Sequence, residues 1–196
     1  MSRPMTHTMT RTMTHTRFSG VQRLLHWTMA AGIVAMLFIG VGMLSTIAPS
    51  YVPLVATHKT LGIALLALVF VRLVLRLVLG APPLPASLPP MMRLGAILSH
   101  WALYGLMIAM PLLGWAMMSA AAHPIVLFGG LRLPSILPQG DQLHTLLWAA
   151  HRWLAFAFFG LILLHVAAAL FHALIRRDGV FEAMSPLPVG KREGQG

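Results

Sequence analysis

Six of the ten histidines in this sequence lie in, or at the ends of, long apolar runs: His26, His58, His100, His151, His165 and His172. An imidazole in hydrocarbon is costly unless something holds it, so an ionisable residue at membrane depth is a functional hypothesis by default. The stretch from Trp148 to Ile175, WAAHRWLAFAFFGLILLHVAAALFHALI, carries three of the six. His151 and His165 are fourteen residues apart. On an α-helix they return to within about 40° of one face and stand about 21 Å apart along the axis. One helix face therefore offers two nitrogen ligands at two depths. Imidazole is a good ligand for iron, and two imidazoles can clamp one haem iron from opposite sides. Four helical turns between the ligands leave room for two stacked haems.

The rest of the chain must position these histidines. It has 196 residues, 58% hydrophobic and only 9% charged, where soluble domains carry about 25% charged residues. Four runs are apolar over the length needed to span a bilayer, about 20 residues: Leu24 to Ile47, His58 to Leu79, Ile97 to Ser119, and Trp148 to Ile175. The chain is expected to be all-α, an integral membrane four-helix bundle. The first run is longer than the apolar core of a signal peptide, about 7–15 residues, and reads as the first transmembrane helix. The domain plan is an N-terminal extension over 1–20, a membrane domain over 21–177 and a polar tail over 178–196. The extension contains the repeat MTHT-MTRT-MTHT at 5–16, polar and biased in composition, and is expected to be disordered. Its His7 and His15 are too sparse for a metal-binding tract. The tail after Arg176 is expected to be loose.

The connectors follow from proline and glycine. Gly80 to Pro90 holds five prolines, Pro82, Pro83, Pro85, Pro89 and Pro90, and reads as a stiff linker. Pro111 should kink the third helix. Ala120 to Leu147 holds Pro124, Gly129, Gly130, Pro134, Pro138 and Gly140. It is the longest loop and the expected place for a short surface helix.

Charge sets orientation and excludes several functions. With four spans, both termini and the second connector share one side. That side carries Arg3, Arg11, Arg17, Arg23, Arg72, Arg76, Arg93, Arg176, Arg177, Lys191 and Arg192, against Lys59, Arg132 and Arg152 on the other. The bias puts both termini in the cytoplasm. Trp27, Trp101, Trp148 and Trp153 fall near helix ends, where an aromatic belt is expected. The net charge of +10 does not read as nucleic-acid binding, because the basic residues flank apolar runs and form no stripe. The sequence has no cysteine, which excludes disulfides, Fe–S clusters and covalent haem attachment through cysteine. The four acids, Asp141, Asp178, Glu182 and Glu193, all lie outside the apolar runs. Proton-coupled transporters usually keep a carboxylate at membrane depth, so transport is disfavoured.

Depth pairs the histidines. The first helix starts on the cytoplasmic side, which puts His26 near that face. The second and fourth start outside, which puts His58 and His151 near the outer face and His165 deeper. The natural pairs are His58 with His151 and His26 with His165. Gly62, Gly32 and Gly160 lie at similar depths and could give a flat macrocycle room. His100 and His172 compete for the inner pair; otherwise they stand near it, available to a propionate or a substrate. Zinc is a poorer fit because it takes four converging ligands at one point. Arg72 and Arg76, one turn apart, either snorkel to the headgroups or contact a haem propionate or an anionic substrate.

These positions resemble the bacterial cytochrome b561 family of four-helix di-haem membrane cytochromes. The resemblance rests on RLLHW around His26, HKTLGIALLALVFVRLVLRL from His58, SHWALYGLMIAMPLLGWAMM from Ser99 and HRWLAFAFFGLILLHVAAALFH from His151 to His172. It covers roughly residues 20–177. It implies two haem b groups with bis-histidine iron, ligated by His26, His58, His151 and His165, and electron transfer with quinone in a bacterial inner membrane. One branch of the family oxidises superoxide at the outer face and passes electrons to ubiquinone. Other branches are cytochrome b membrane-anchor subunits that pass electrons for a separate dehydrogenase or hydrogenase. The short chain looks more like the free-standing branch, so the expected function is a superoxide:quinone oxidoreductase, with the anchor subunit as its alternative. The anion would be drawn to the outer face by Lys59, Arg152 and Arg132.

Overall fold

A computed structural model of the protein describes residues 17–45, 49, 51–128 and 130–187. The Met-Thr repeat with His7 and His15, and the tail beyond residue 187, lie outside the described residues.

The described chain forms five α-helices: α1 (Gly20–Ser45), α2 (Tyr51–Leu79), α3 (Pro90–Ala120), α4 (Asp141–Phe171) and α5 (Val180–Met184). A π-helical turn, His172–Arg176, links α4 to α5. The first four helices are long and apolar enough to cross a membrane, α4 together with the π-helical turn. A helix satisfies its own backbone hydrogen bonds, which hydrocarbon cannot do for it. The bundle is two hairpins, α1 packed on α2 and α3 on α4, joined where α2 meets α3. Val69 is completely buried at that junction, with Met29 and Leu66, and Leu25, Tyr104, Met107 and Ile108 pack around them. Outward-facing Phe38, Leu77, Leu163 and Leu164 are exposed. In water such a surface would drive aggregation; in a bilayer it meets lipid tails.

Three local expectations change. Among its described residues the connector after α3 forms no surface helix. A bridge between Val126 and Arg132 makes it a short hairpin, pinned to α3 by Ile136 N–H donating to Ser119 Oγ at 3.1 Å and Trp115 Nε1–H donating to the Pro134 carbonyl at 2.9 Å. Its prolines and glycines deny it a helix, and residues 141–147 belong instead to α4. Likewise α3 begins at Pro90 rather than Ile97, with proline in the first turn, where its missing N–H is no loss.

The third change concerns the segment after Arg176. Over residues 177–187 it folds back onto the start of α1. Asp178 accepts hydrogen bonds from His172 Nδ1 at 2.8 Å and from Arg176 Nε at 2.9 Å. Arg17 donates to the Glu182, Ser185 and Leu187 carbonyls, and Trp27 Nε1–H donates to the Met184 carbonyl at 2.9 Å. Polarity marks this segment as a tail, but its Asp178 ties down the buried His172 and Arg176 at the helix end. Burial raises the Asp178 carboxyl, yet the hydrogen bonds from Arg176 and His172 outweigh it and hold the group below its ordinary value of 3.8. A depressed folded value means this contribution is complete above the ordinary value and is lost only as pH falls through the lower folded one. Neutral buffers leave the clasp intact. Asp178→Ala removes charge-assisted bonds of about 1 kcal/mol or more each. Trypsin should then cut after Arg176 and Arg177 several-fold faster in detergent; unchanged cleavage would show that the clasp is held by other contacts.

Candidate functional site

Helix α4 places His151 and His165 on one face, and each meets a histidine from the other hairpin. The ring centres of His58 and His151 are 6.2 Å apart, with planes at 68°. Those of His26 and His165 are 6.5 Å apart, with planes at 69°. Each pair thus joins α4 to α1 or α2, although the backbone of α4 packs chiefly on α3. All four rings are half-buried.

The spacing has a chemical meaning. A ligating imidazole nitrogen lies about 2.0 Å from a first-row metal and about 1.1 Å from its own ring centre. Two imidazoles on opposite sides of one metal would therefore hold their ring centres about 6 Å apart. Both pairs meet this condition. Among the described residues no three His, Cys, Asp or Glu side chains converge as a metal site. Two-nitrogen sites of this kind match a metal whose other positions are filled by a macrocycle. Nδ1 of His58 and Nδ1 of His151 are buried without a hydrogen-bond partner. The Met110 carbonyl lies beside the His151 ring, the type of group that steadies a ligand histidine through its second nitrogen once geometry tightens.

The competing histidines separate clearly. The His100 ring centre lies 5.4 Å from that of His165, but His100 is exposed and its Nδ1–H is donated to the Ala96 carbonyl one turn back. His172 is buried and tied to Asp178, so one of its nitrogens is already committed. His144, counted with the connector in the sequence, lies on α4, where its Nδ1–H is donated to the Met117 carbonyl at 3.2 Å.

The glycines divide otherwise than their depths implied. A Cβ on Gly32 would meet Leu65 Cδ2 at 3.1 Å, and one on Gly62 would meet Met36 Cε at 3.6 Å. Those two serve the contact between α1 and α2. A Cβ on Gly160 would meet open space. The glycine that touches a paired histidine is Gly114, where a Cβ would stand 3.5 Å from His151 Cε1. Sequence depth could have found it, since it lies on α3 three residues past Pro111. Tyr104 was also missed. It lies four residues past His100, and its hydroxyl accepts a hydrogen bond from Arg72 Nε at 3.0 Å. Arg76 rests on the Phe18 ring, 5.8 Å from its centre.

Fold and site together define a four-helix multi-pass membrane protein that presents paired histidines at two levels. The chain belongs to the prokaryotic cytochrome b561 family, whose sequence profile matches residues 17–186. It is 32% identical over 176 residues to cytochrome b561 homolog 2 of Escherichia coli K12, covering 88% of this chain and 93% of that protein. It is 30% identical over 173 residues to the probable superoxide oxidase CybB of Yersinia pestis, covering 88% and 97%. Cytochrome b561 homolog 1 of Escherichia coli K12 is 29% identical over 179 residues, covering 87% and 97%. Membership makes this a haem-binding electron-transport protein of the bacterial inner membrane.

Proposed function

We propose that the chain is a di-haem b relay that oxidises superoxide at one membrane face and delivers the electrons to quinone. His58 and His151 would hold one haem, and His26 and His165 the other. The observation that carries this reading is the pair of near-equal ring separations, 6.2 and 6.5 Å, at two levels of one bundle. The donor set supports the fit as well: imidazole suits iron, and the buried Nδ1 atoms of His58 and His151 lack a hydrogen-bond partner. Held by these histidines, haem b would supply one-electron transfer.

The protein's own residues set the direction. The basic bias of the sequence puts the His26–His165 level towards the cytoplasm and the His58–His151 level towards the outer face. Lys59 and Arg152 directly follow His58 and His151, so two cations flank the outer level and favour an anionic donor. Two superoxide anions give two dioxygen molecules and two electrons. One quinone takes up those electrons with two protons and leaves as quinol. Arg72 and His100 stand around the inner level as candidate quinone or propionate contacts, whereas Arg76 is exposed and rests on Phe18. The likeness to the relative named superoxide oxidase, nearly all of whose length is covered, supports the donor.

The test uses purified, haem-loaded protein. Pyridine haemochrome quantitation should give two haem b per chain. Superoxide should reduce the haems, and an added ubiquinone analogue should reoxidise them. A haem-loaded protein inert to superoxide, but reduced by a co-purifying dehydrogenase, would replace this reading with that of a membrane-anchor subunit. A preparation without haem bands would reject both.

A further inference from the structure

The end of the bundle where α1 begins and α2 ends contains a small cavity lined by Phe18, Gln22, Leu25, Arg72, Arg76 and Tyr104 among others. Its polar lining is unequal. Gln22 is buried and fully engaged, its Nε2 donating to the Leu75 and Gly80 carbonyls and its Oε1 accepting from Ser19. Arg72 is half-buried, three residues past the completely buried Val69. Its Nε is fixed on the Tyr104 hydroxyl at 3.0 Å. Among the described residues its two terminal nitrogens make no hydrogen bond, and no carboxylate pairs with it; the ion pairs there join Asp178 to His172 and Arg176. A guanidinium held in low dielectric without an anion is expensive. Yet it stands at the His26–His165 level: it shares the cavity with Leu25, the residue before His26, and its partner Tyr104 lies one turn past His100, whose ring centre is 5.4 Å from that of His165. Arg76 is one turn further on, exposed, and rests on Phe18.

We propose that Arg72, braced by Tyr104, is the positioning residue of the His26–His165 level: it takes a carboxylate edge of the macrocycle held there and raises that haem's reduction potential. The inference rests on the haem reading above. The bracing bond turns Nε away and leaves the two terminal N–H groups as the fork that matches a carboxylate. Reduction adds an electron near this fixed positive charge, so the reduced form gains and the potential rises. Arg76 carries the same charge on the same helix but lacks the brace. Its effect should be weak, which makes it the internal control.

The experiment is a redox titration of both haems in the purified wild type and in Arg72→Gln, Arg76→Gln and Tyr104→Phe, with haem content measured in each. The His165→Ala variant, which should keep only the outer haem, assigns the two midpoints. Arg72→Gln should lower the inner midpoint by at least a tenfold change in its reduction equilibrium, 59 mV for one electron, and leave the outer midpoint in place. Selective loss of the inner haem would support the proposal equally. Tyr104→Phe should move the same midpoint by less, and Arg76→Gln should move neither. If Arg72→Gln keeps both haems with both midpoints unmoved, or moves both alike, the proposal is overturned. If Arg72→Gln does not fold, Tyr104→Phe decides: a shift of the inner midpoint alone supports it, and no shift overturns it. A wild type with fewer than two haems would instead remove the parent reading.

Discussion

Under the proposed di-haem arrangement, His151→Ala is expected to yield a membrane-inserted protein with one haem per chain in place of two, and His165→Ala to do the same at the other level. Each substitution removes one of the two rings that meet across the bundle, at 6.2 and 6.5 Å between ring centres. An iron left with a single imidazole loses the clamp that seats it. The two sites on α4 are about 21 Å apart along the helix, far beyond the range at which substitutions couple, so loss at one level should leave the other spectrum intact. The pairing adds a sharper condition. Within a level the effects should not add: His58→Ala, His151→Ala and the double variant should each lack the same haem. The combination His58→Ala with His165→Ala should lack both. His100→Ala tests the remaining competitor, because its ring is nearer to His165 than that of His26 is. It should retain both haems, since His100 is exposed and lies on α3, beside the pair. If His100→Ala lost the inner haem and His26→Ala kept it, the inner ligand set would be His100 with His165. Haem content per chain and the reduced optical spectrum decide each case.

Much of the architecture is legible in the sequence, because a bilayer leaves an apolar run few options. Four runs long enough to span are four helices, and proline and glycine mark where they break. Which histidines could meet was also legible, since helix direction alternates and depth follows from position along each run. The misreadings share a cause. Asp141 to Leu147 reads as connector in the sequence because its hydropathy is modest, although it simply continues α4 beyond the apolar stretch. The segment after Arg176 reads as loose because it lies beyond the last apolar run and opens on charged residues. Its order comes from long-range bonds, Arg17 to the Glu182 carbonyl and Trp27 to the Met184 carbonyl, and no local pattern encodes a partner more than 150 residues away. The glycines show the same limit. Depth located Gly32 and Gly62, but only packing reveals that they face Leu65 and Met36. Tyr104 gains its meaning solely from Arg72, thirty-two residues earlier on another helix.

The charge at the outer level supplies the other large expected effect. Under the proposed activity, reversing Lys59 and Arg152 to glutamate should slow reduction of the protein by superoxide tenfold or more at low ionic strength. Attraction by a fixed charge cluster raises association rates by about 10–10³, and two reversals turn that attraction into repulsion. Arg152 is well placed to act as a fixed charge, because its guanidinium lies 4.9 Å from the Trp148 ring centre and 5.3 Å from that of Trp153. The arginine is exposed, but these two rings limit its wandering. Lys59 is half-buried and adjoins His58. The salt dependence separates steering from damage. The wild-type rate should fall as ionic strength rises and the screening length shrinks, whereas the reversed variant should lose that slope or invert it. Lys59→Gln with Arg152→Gln should fall between the two. Reoxidation by quinone, at the other level, should be unchanged in every variant, and so should the haem content. Equal superoxide rates in all three proteins would mean that the anion reaches the haem by a route these two cations do not guard, and the exposed Arg132 on the hairpin after α3 would be the next residue to reverse.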